Sequence, residues 1–300
     1  NFYFNGEELE IGDYLAFGNY NGRPIVWRVI DIKDDCPLLL SSDIITIKPF
    51  DAPESGMAGR TVNGRSFDSG ESYSAIELRE MWGSNFWTNS NLREWLNSEE
   101  EVVNYTTYPP AAAALYYQSN SYDKESGFLT NFSQSDLELI KPVEHRVLLT
   151  ELDLIHKEGG YSLYEFNNIA KLNQAIANYD QSFFMNVTDH VFLLSVNELK
   201  DYLWDRGWDI RSSLTDQALA RDEFDNAKYI IEDTEGYYMW WLRTPAAHSS
   251  YQLCVVDYNG NIKPMDVDNI QYGVRPALYL HSRRYSMQGN GSKDDPYIIK

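Results

Sequence analysis

A chain of 300 residues that is 43% hydrophobic and 14% aromatic can bury a large core, which excludes a disordered segment. Its formal charge of −20, relieved by no basic run longer than "HSRRY", cannot neutralise a row of phosphates, so nucleic acid is excluded as a partner. The acidity reads as a solubility device, and no apolar run reaches the roughly 18 residues of a membrane-spanning helix.

The chain opens on Asn1, as expected of a trimmed or mature form, and its first clear elements are strands. "DYLAFGNY" and "RPIVWRVIDI" read as a hairpin joined at Asn21-Gly22, a dipeptide that supplies the two positive φ angles of a type I′ turn. "PLLLSSDIITI" follows as a buried strand, and residues 51–73 as a Gly- and Ser-rich loop. Ser74 with Glu77 forms a capping box ahead of Ile76, Leu78, Met81 and Trp82. Asn91 with Glu94 opens a helix whose Leu92, Trp95 and Leu96 share one face. Residues 104–127 are a Pro-, Ala- and Tyr-rich insertion without a period, read as a long packed loop in preference to a sticky patch.

"SQSDLELIKPV" reads as a short helix stopped by Pro142. "RVLLTELDLI" and "HVFLLSV" read as strands with a helix, "LYEFNNIAKLNQAIANY", between them. Ser195 and Glu198 form another capping box, for a helix closed by Gly207, and "DQALARDEFDNAKYI" reads as a further helix. "YMWWLRT", "QLCVVDY", "NIKPMDV" and "GVRPALYL" then fit a meander, with a second type I′ signal at Asn259-Gly260. Strands at both ends with helices between them give an α+β class in which terminal strands share one antiparallel sheet.

Cys36 and Cys254 lie in separate apolar runs. Two buried thiols are the preferred reading, and a disulfide stays open because sequence does not show proximity. No nucleophile elbow, zinc-protease pair or phosphate-cradling loop occurs, and five histidines stand singly. No catalytic residue, metal or cofactor is therefore expected. Asp266 and Asp268 alternate, so both can point one way and ligate calcium with Asn269, but solvated loop carboxylates are the preferred reading.

The stretch "GYYMWWLRTPAAHSSYQ" puts an arginine among aromatics, which is tolerable only if its fork is paired and its plane stacked. Trp240, Trp241, Arg243 and Arg275 are accordingly read as structural, the two guanidiniums clamping strands to carbonyls or carboxylates. What they hold are the loops "AAHSSYQ" and "DVDNIQY", whose small hydroxylated residues and tyrosines suit adaptable recognition.

"GDYLAFGNYNGRPIVWRVIDI", "FWTNSNLREWLNS", "DHVFLLSVNELKDYL", "WWLRTPA", "VVDYNGNI" and "YGVRPALYL", spanning roughly 11–280, together resemble a bacterial domain family of unknown function common in secreted and cell-surface proteins. The Trp-Leu-Arg-Thr-Pro and Gly-Val-Arg-Pro-Ala pair also resembles the C-terminal core of C-type-lectin-like domains of the formylglycine-generating-enzyme kind. That resemblance implies a single elaborated C-type-lectin-like domain over 1–282, with 283–300 as a closing tail or linker. It also implies a ligand face of His248, Ser249, Ser250, Tyr251, Asp268, Asn269, Gln271 and Tyr272. The paired cysteines and clustered histidines of that superfamily's enzymes are missing here, so no catalytic role carries over.

The insertions at 51–73 and 104–127 look like elaborations that build a private binding site. The expectation is an extracellular or cell-surface module that binds a glycan or protein ligand through its C-terminal loops. The alternatives are a carbohydrate-active or oxidative enzyme with a site not visible in sequence, and a ligand-free structural module of a larger surface protein.

Overall fold

The computed structural model describes residues 3–4, 7–148, 169, 184–220, 234–246, 249–283 and 286–299. Nearly all of the expected helix over 163–179, most of the strand over 146–155, the later part of 216–230, and His248 lie outside the described residues.

β1 (Tyr14–Tyr20) and β2 (Arg23–Lys33) pair antiparallel, and Asn21 and Gly22 between them take φ of 48° and 75°, as a type I′ turn requires. β3 (Cys36–Ser41), buried at every position, continues the sheet, and β4 (Thr46–Ile47) opens a second one. Further on, among the described residues, β5 (Val143–Leu148) and β6 (Phe184–Asp189) pair only with each other, and β7 (Val191–Phe192) returns to the first sheet. The last third supplies β8 (Trp240–Pro245), β9 (Gln252–Val256), β10 (Ile262–Asp266), β11 (Gly273–Val274), β12 (Ala277–Leu280), β13 (Met287–Gln288) and β14 (Tyr297–Ile299).

Among the described residues, an eight-stranded sheet runs β7-β12-β3-β2-β1-β14-β13, with Ile140–Lys141 beside β12. A five-stranded sheet runs β10-β9-β8-β11-β4, and one continuous apolar core unites the two. The region expected as a tail or linker contributes β13 and β14, and β14 lies parallel to β1 with Tyr297 opposite Leu15. Gly273 is where β11 squeezes between neighbours: a Cβ there would sit 2.6 Å from the Ile44 side chain.

The α+β, C-type-lectin-like expectation is overturned. Strand accounts for 33% of residues and helix for 19%, spread over several sheets with few helices, so the fold is mostly β. The β8–β11 and β1–β14 pairs are parallel, so neither large sheet is the antiparallel one expected.

The helices are short, each ending within about two turns, and a cap fixes where a helix begins and not how far it runs. Both capping boxes form, at Ser74/Glu77 on α1 (Ala75–Trp82) and at Ser195/Glu198 on α3 (Val196–Tyr202). On α2 (Asn91–Leu96) the cap is Ser90 rather than Asn91. α1 stops at Gly83, whose φ of 96° and approach to the Asp51 carbonyl, 2.7 Å from an added Cβ, admit only glycine.

The second Asn-Gly turn also differs. Only Gly260 has positive φ, and the Asp257 carboxylate accepts the N–H groups of Asn259 and Asn261 at 2.9 Å, so an aspartate side chain shapes the turn. Cys36 and Cys254 are buried free thiols.

The 104–127 insertion is drawn onto β4 by Lys48. Its ammonium lies 4.6 Å from the Trp95 ring centroid and 4.4 Å from that of Tyr122, and it pairs with Glu125.

Candidate functional site

Four chain segments meet at Arg60. The 51–73 loop brings Arg60 and Phe67, α1 ends on Trp82, the 104–127 insertion brings Tyr116 and Tyr117, and the turns beside β9 and β10 bring Tyr251, Asp266 and Asp268. Asp51 stitches this corner together, its carboxylate accepting the backbone N–H groups of Ser84 at 2.8 Å and Asn91 at 3.0 Å.

Arg60 is itself held in the left-handed region, with φ of 56°, a conformation that costs a non-glycine residue energy unless its side chain is well anchored. Its Nη2 donates to Asp266 at 3.1 Å, and its Nε lies 3.7 Å from Asp268. Its guanidinium carbon sits 4.2 Å from the Tyr116 ring centroid and 5.2 Å from that of Trp82. Tyr251 stacks on Trp82 with centroids 4.5 Å apart and planes at 25°, and Phe67 meets the same indole edge-on at 4.5 Å. Phe67, Tyr116 and Tyr117 keep between a third and a half of their surface in solvent.

The polar chemistry of this face is unfinished. Arg60 Nε, Trp82 Nε1 and both Asp268 carboxyl oxygens are buried atoms without a hydrogen-bond partner. Burial drives the Asp268 carboxyl up to about 7; neighbouring Asp266 adds to the rise and Arg60 opposes it. The expected solvated loop carboxylate is thus a buried group. Among the described residues no three His, Cys, Asp or Glu side chains are placed to hold a metal ion.

The residues expected to face a ligand divide. His248 is outside the described residues. Ser249 and Ser250 turn inward: their carbonyls accept from the Asn85 side chain and backbone, and Ser249 Oγ accepts from Tyr251 and Gln252 N–H. Tyr272 is 5% exposed and packs edge-on against Trp241 at 4.9 Å. Asn269 accepts the Gln271 N–H in a local turn, and the Gln271 carbonyl accepts the Tyr238 hydroxyl. Tyr251 and Asp268 remain as the pair at the Arg60 face. Arg60, Phe67, Trp82 and Tyr116 were not singled out as site residues in the sequence, although three of them lie in the 51–73 and 104–127 insertions read as elaborations that build a binding site.

The four residues read as structural are all buried. Arg243 donates to the Leu193 carbonyl at 2.6 Å, to Glu198, and to the Arg146 carbonyl at 3.5 Å. Arg275 lies over the Trp240 ring at 4.6 Å and donates to the Ser41 and Ser42 carbonyls. Trp240 and Trp241 donate to the carbonyls of Ile210 and Lys48.

A cavity of about 440 Å³ opens beside Arg243, lined by His145, Phe192, Ser195, Asn197, Glu198 and Thr244 among others. His145, from this lining, reaches out of the cavity to Asp189, which accepts from its Nε2 at 2.6 Å, from Trp87 at 2.9 Å and from Arg93 at 2.6 Å, a buried knot that sequence gave no hint of. Ser195 Oγ and Thr244 Oγ1 already accept backbone N–H groups at the start of α3, so both lining hydroxyls are engaged as caps.

No curated protein matches this chain, and no solved structure matches it. The sequence profile of a domain of unknown function (DUF6273) matches residues 38–282, well over half of the chain, and the protein belongs to that family.

Proposed function

We propose that the protein is an extracellular or cell-surface binding module that takes a saccharide on the face built around Arg60, Trp82 and Tyr251. The observation that carries this is the unmet polar set beside exposed rings: donors Arg60 Nε and Trp82 Nε1, and acceptors on Asp268, next to Phe67, Tyr116 and Tyr117. A sugar ring packs its C–H face on an aromatic plane while its vicinal hydroxyls donate to one group and accept from its neighbour, which is what these atoms lack. Strain at the Arg60 backbone fits a residue fixed in place for contact. Catalysis fits less well. Asp266 and Asp268 both lean on one guanidinium, whereas a glycosidase pair flanks the scissile bond from two sides.

A panel of immobilised glycans, probed with and without chelator, tests this. Wild type is expected to bind a defined subset, and Tyr116→Ala to weaken it about tenfold through loss of one stacking surface. Binding confined to a protein panel would move the ligand class to protein. Silence on both panels would favour the ligand-free structural module.

A further inference from the structure

We propose that a second site, formed where Arg28, Arg275 and Ser212 converge, binds a compact oxyanion through a phosphate or carboxylate group. It shares no side chain with the Arg60 face. The three residues line one cavity of about 270 Å³, together with Tyr14, Asp43, Trp208, Asp209, Arg211 and Lys293. That is space for about nine water molecules at roughly 30 Å³ each, the scale of a small hydrated ion or a three- or four-carbon acid.

Three unsatisfied polar atoms point to an anion, because each carries a proton to donate. Arg28 Nε, Arg275 Nη1 and Ser212 Oγ are buried without a hydrogen-bond partner. Arg275 is 6% exposed and Ser212 is 2% exposed, so their missing acceptors come from whatever the cavity holds and not from bulk solvent. Among the described residues Arg275 donates through Nε and Nη2 to the Ser41 and Ser42 carbonyls only, and neither it nor Arg28 makes a salt bridge to a carboxylate. Burial lowers the Arg275 pKa to about 10, with Asp43 opposing and Arg28 reinforcing the fall, as befits an under-neutralised cation.

The frame is also preorganised. The Arg28 guanidinium carbon lies over the Trp208 ring, 3.5 Å from its centroid, and 5.3 Å from that of Tyr14, which restrains its fork. At the rim Lys293 pairs with Asp43 at 3.0 Å and Arg211 with Asp209 at 2.8 Å. Four cationic side chains against two carboxylates leave a cationic cavity on a chain of formal charge −20. Such a focus attracts and orients an anion that the rest of the surface repels.

The test is calorimetric titration of the full chain with inorganic phosphate, sulfate and malonate at constant ionic strength, on wild type, Arg28→Gln and Ser212→Ala. Arg28 is half-buried, and a thermal melt of each variant checks that the fold is kept. Wild type is expected to bind at least one probe saturably, with Arg28→Gln weakening it about tenfold or more and Ser212→Ala by less. Preference for phosphate and sulfate assigns a phosphoryl group, and preference for malonate assigns carboxylates. No saturable binding of any probe by wild type, or equal affinity in wild type and a folded Arg28→Gln, overturns the proposal.

Discussion

Replacing Arg243 with alanine is expected to destabilise the fold by about 2–4 kcal/mol, because it strands a half-buried carboxylate and removes a donor from two carbonyls. Glu198 loses its guanidinium partner, and the Leu193 and Arg146 carbonyls lose their donor. Burial pulls the Glu198 carboxyl up, but Arg243 and the Ser195 N–H outweigh it and hold it below the usual range, so the pair is ionised near neutrality. The same carboxylate closes the capping box of α3, so the loss spreads to the start of that helix. Urea unfolding of Arg243→Ala measures the cost. The double variant Arg243→Met with Glu198→Gln should recover most of it, since no charge is then left unpaired. A single variant within about 1 kcal/mol of wild type would show that the guanidinium is dispensable.

Asp268→Asn is expected to stabilise the protein increasingly from about pH 4 to about pH 7 and to do nothing below that range. In the unfolded chain the Asp268 carboxyl ionises near about 3.9; in the fold it keeps its proton up to about 7. Between those values the unfolded state releases a proton that the folded state holds, so wild-type stability falls as pH rises and levels off above about 7. Asparagine has no proton to lose. The stability advantage of Asp268→Asn should therefore grow from near zero at about pH 4 to on the order of 4 kcal/mol above pH 7. Comparing the two proteins by chemical denaturation across that range cancels the titration of every other group. An advantage that does not change with pH would mean the carboxyl is ionised throughout.

Local chemistry was legible in the sequence wherever one residue's backbone decides the structure. Asn21-Gly22 turns the first hairpin, and Ser74 and Ser195 start their helices as their hydroxyls and partner glutamates dictate. What failed were inferences that extend a local signal over distance. A capping box promised a helix but not its length, and Asn259-Gly260 looked like the first hairpin until Asp257 reached in to shape it. The α+β class failed because many strands are only two residues long, as at Thr46–Ile47, Gly273–Val274 and Met287–Gln288, and no alternation shows in so short a run.

The candidate site was half legible. Tyr251 and Asp268 lie on it because the C-terminal strands place their flanking turns there. Arg60 meets Asp266 across 206 residues of sequence, and no period or spacing in a Gly- and Ser-rich loop encodes that meeting. Arg28 and Ser212 are equally silent in sequence, since an alternating strand position and a single serine mean nothing until the fold leaves both without partners. Ser249, Ser250 and Tyr272 have the composition of a recognition loop, yet they are spent on anchoring it.

Tyr251→Ser, measured for both glycan binding and melting temperature, tests most directly whether the Arg60 corner exists for contact. Tyr251 packs on a satellite cluster of Val62, Met81 and Trp82 that is separate from the main core, so its removal is expected to abolish binding while the melting temperature falls by only a few degrees. A melting temperature that drops as far as that of Arg243→Ala, or binding that survives intact, would contradict the account.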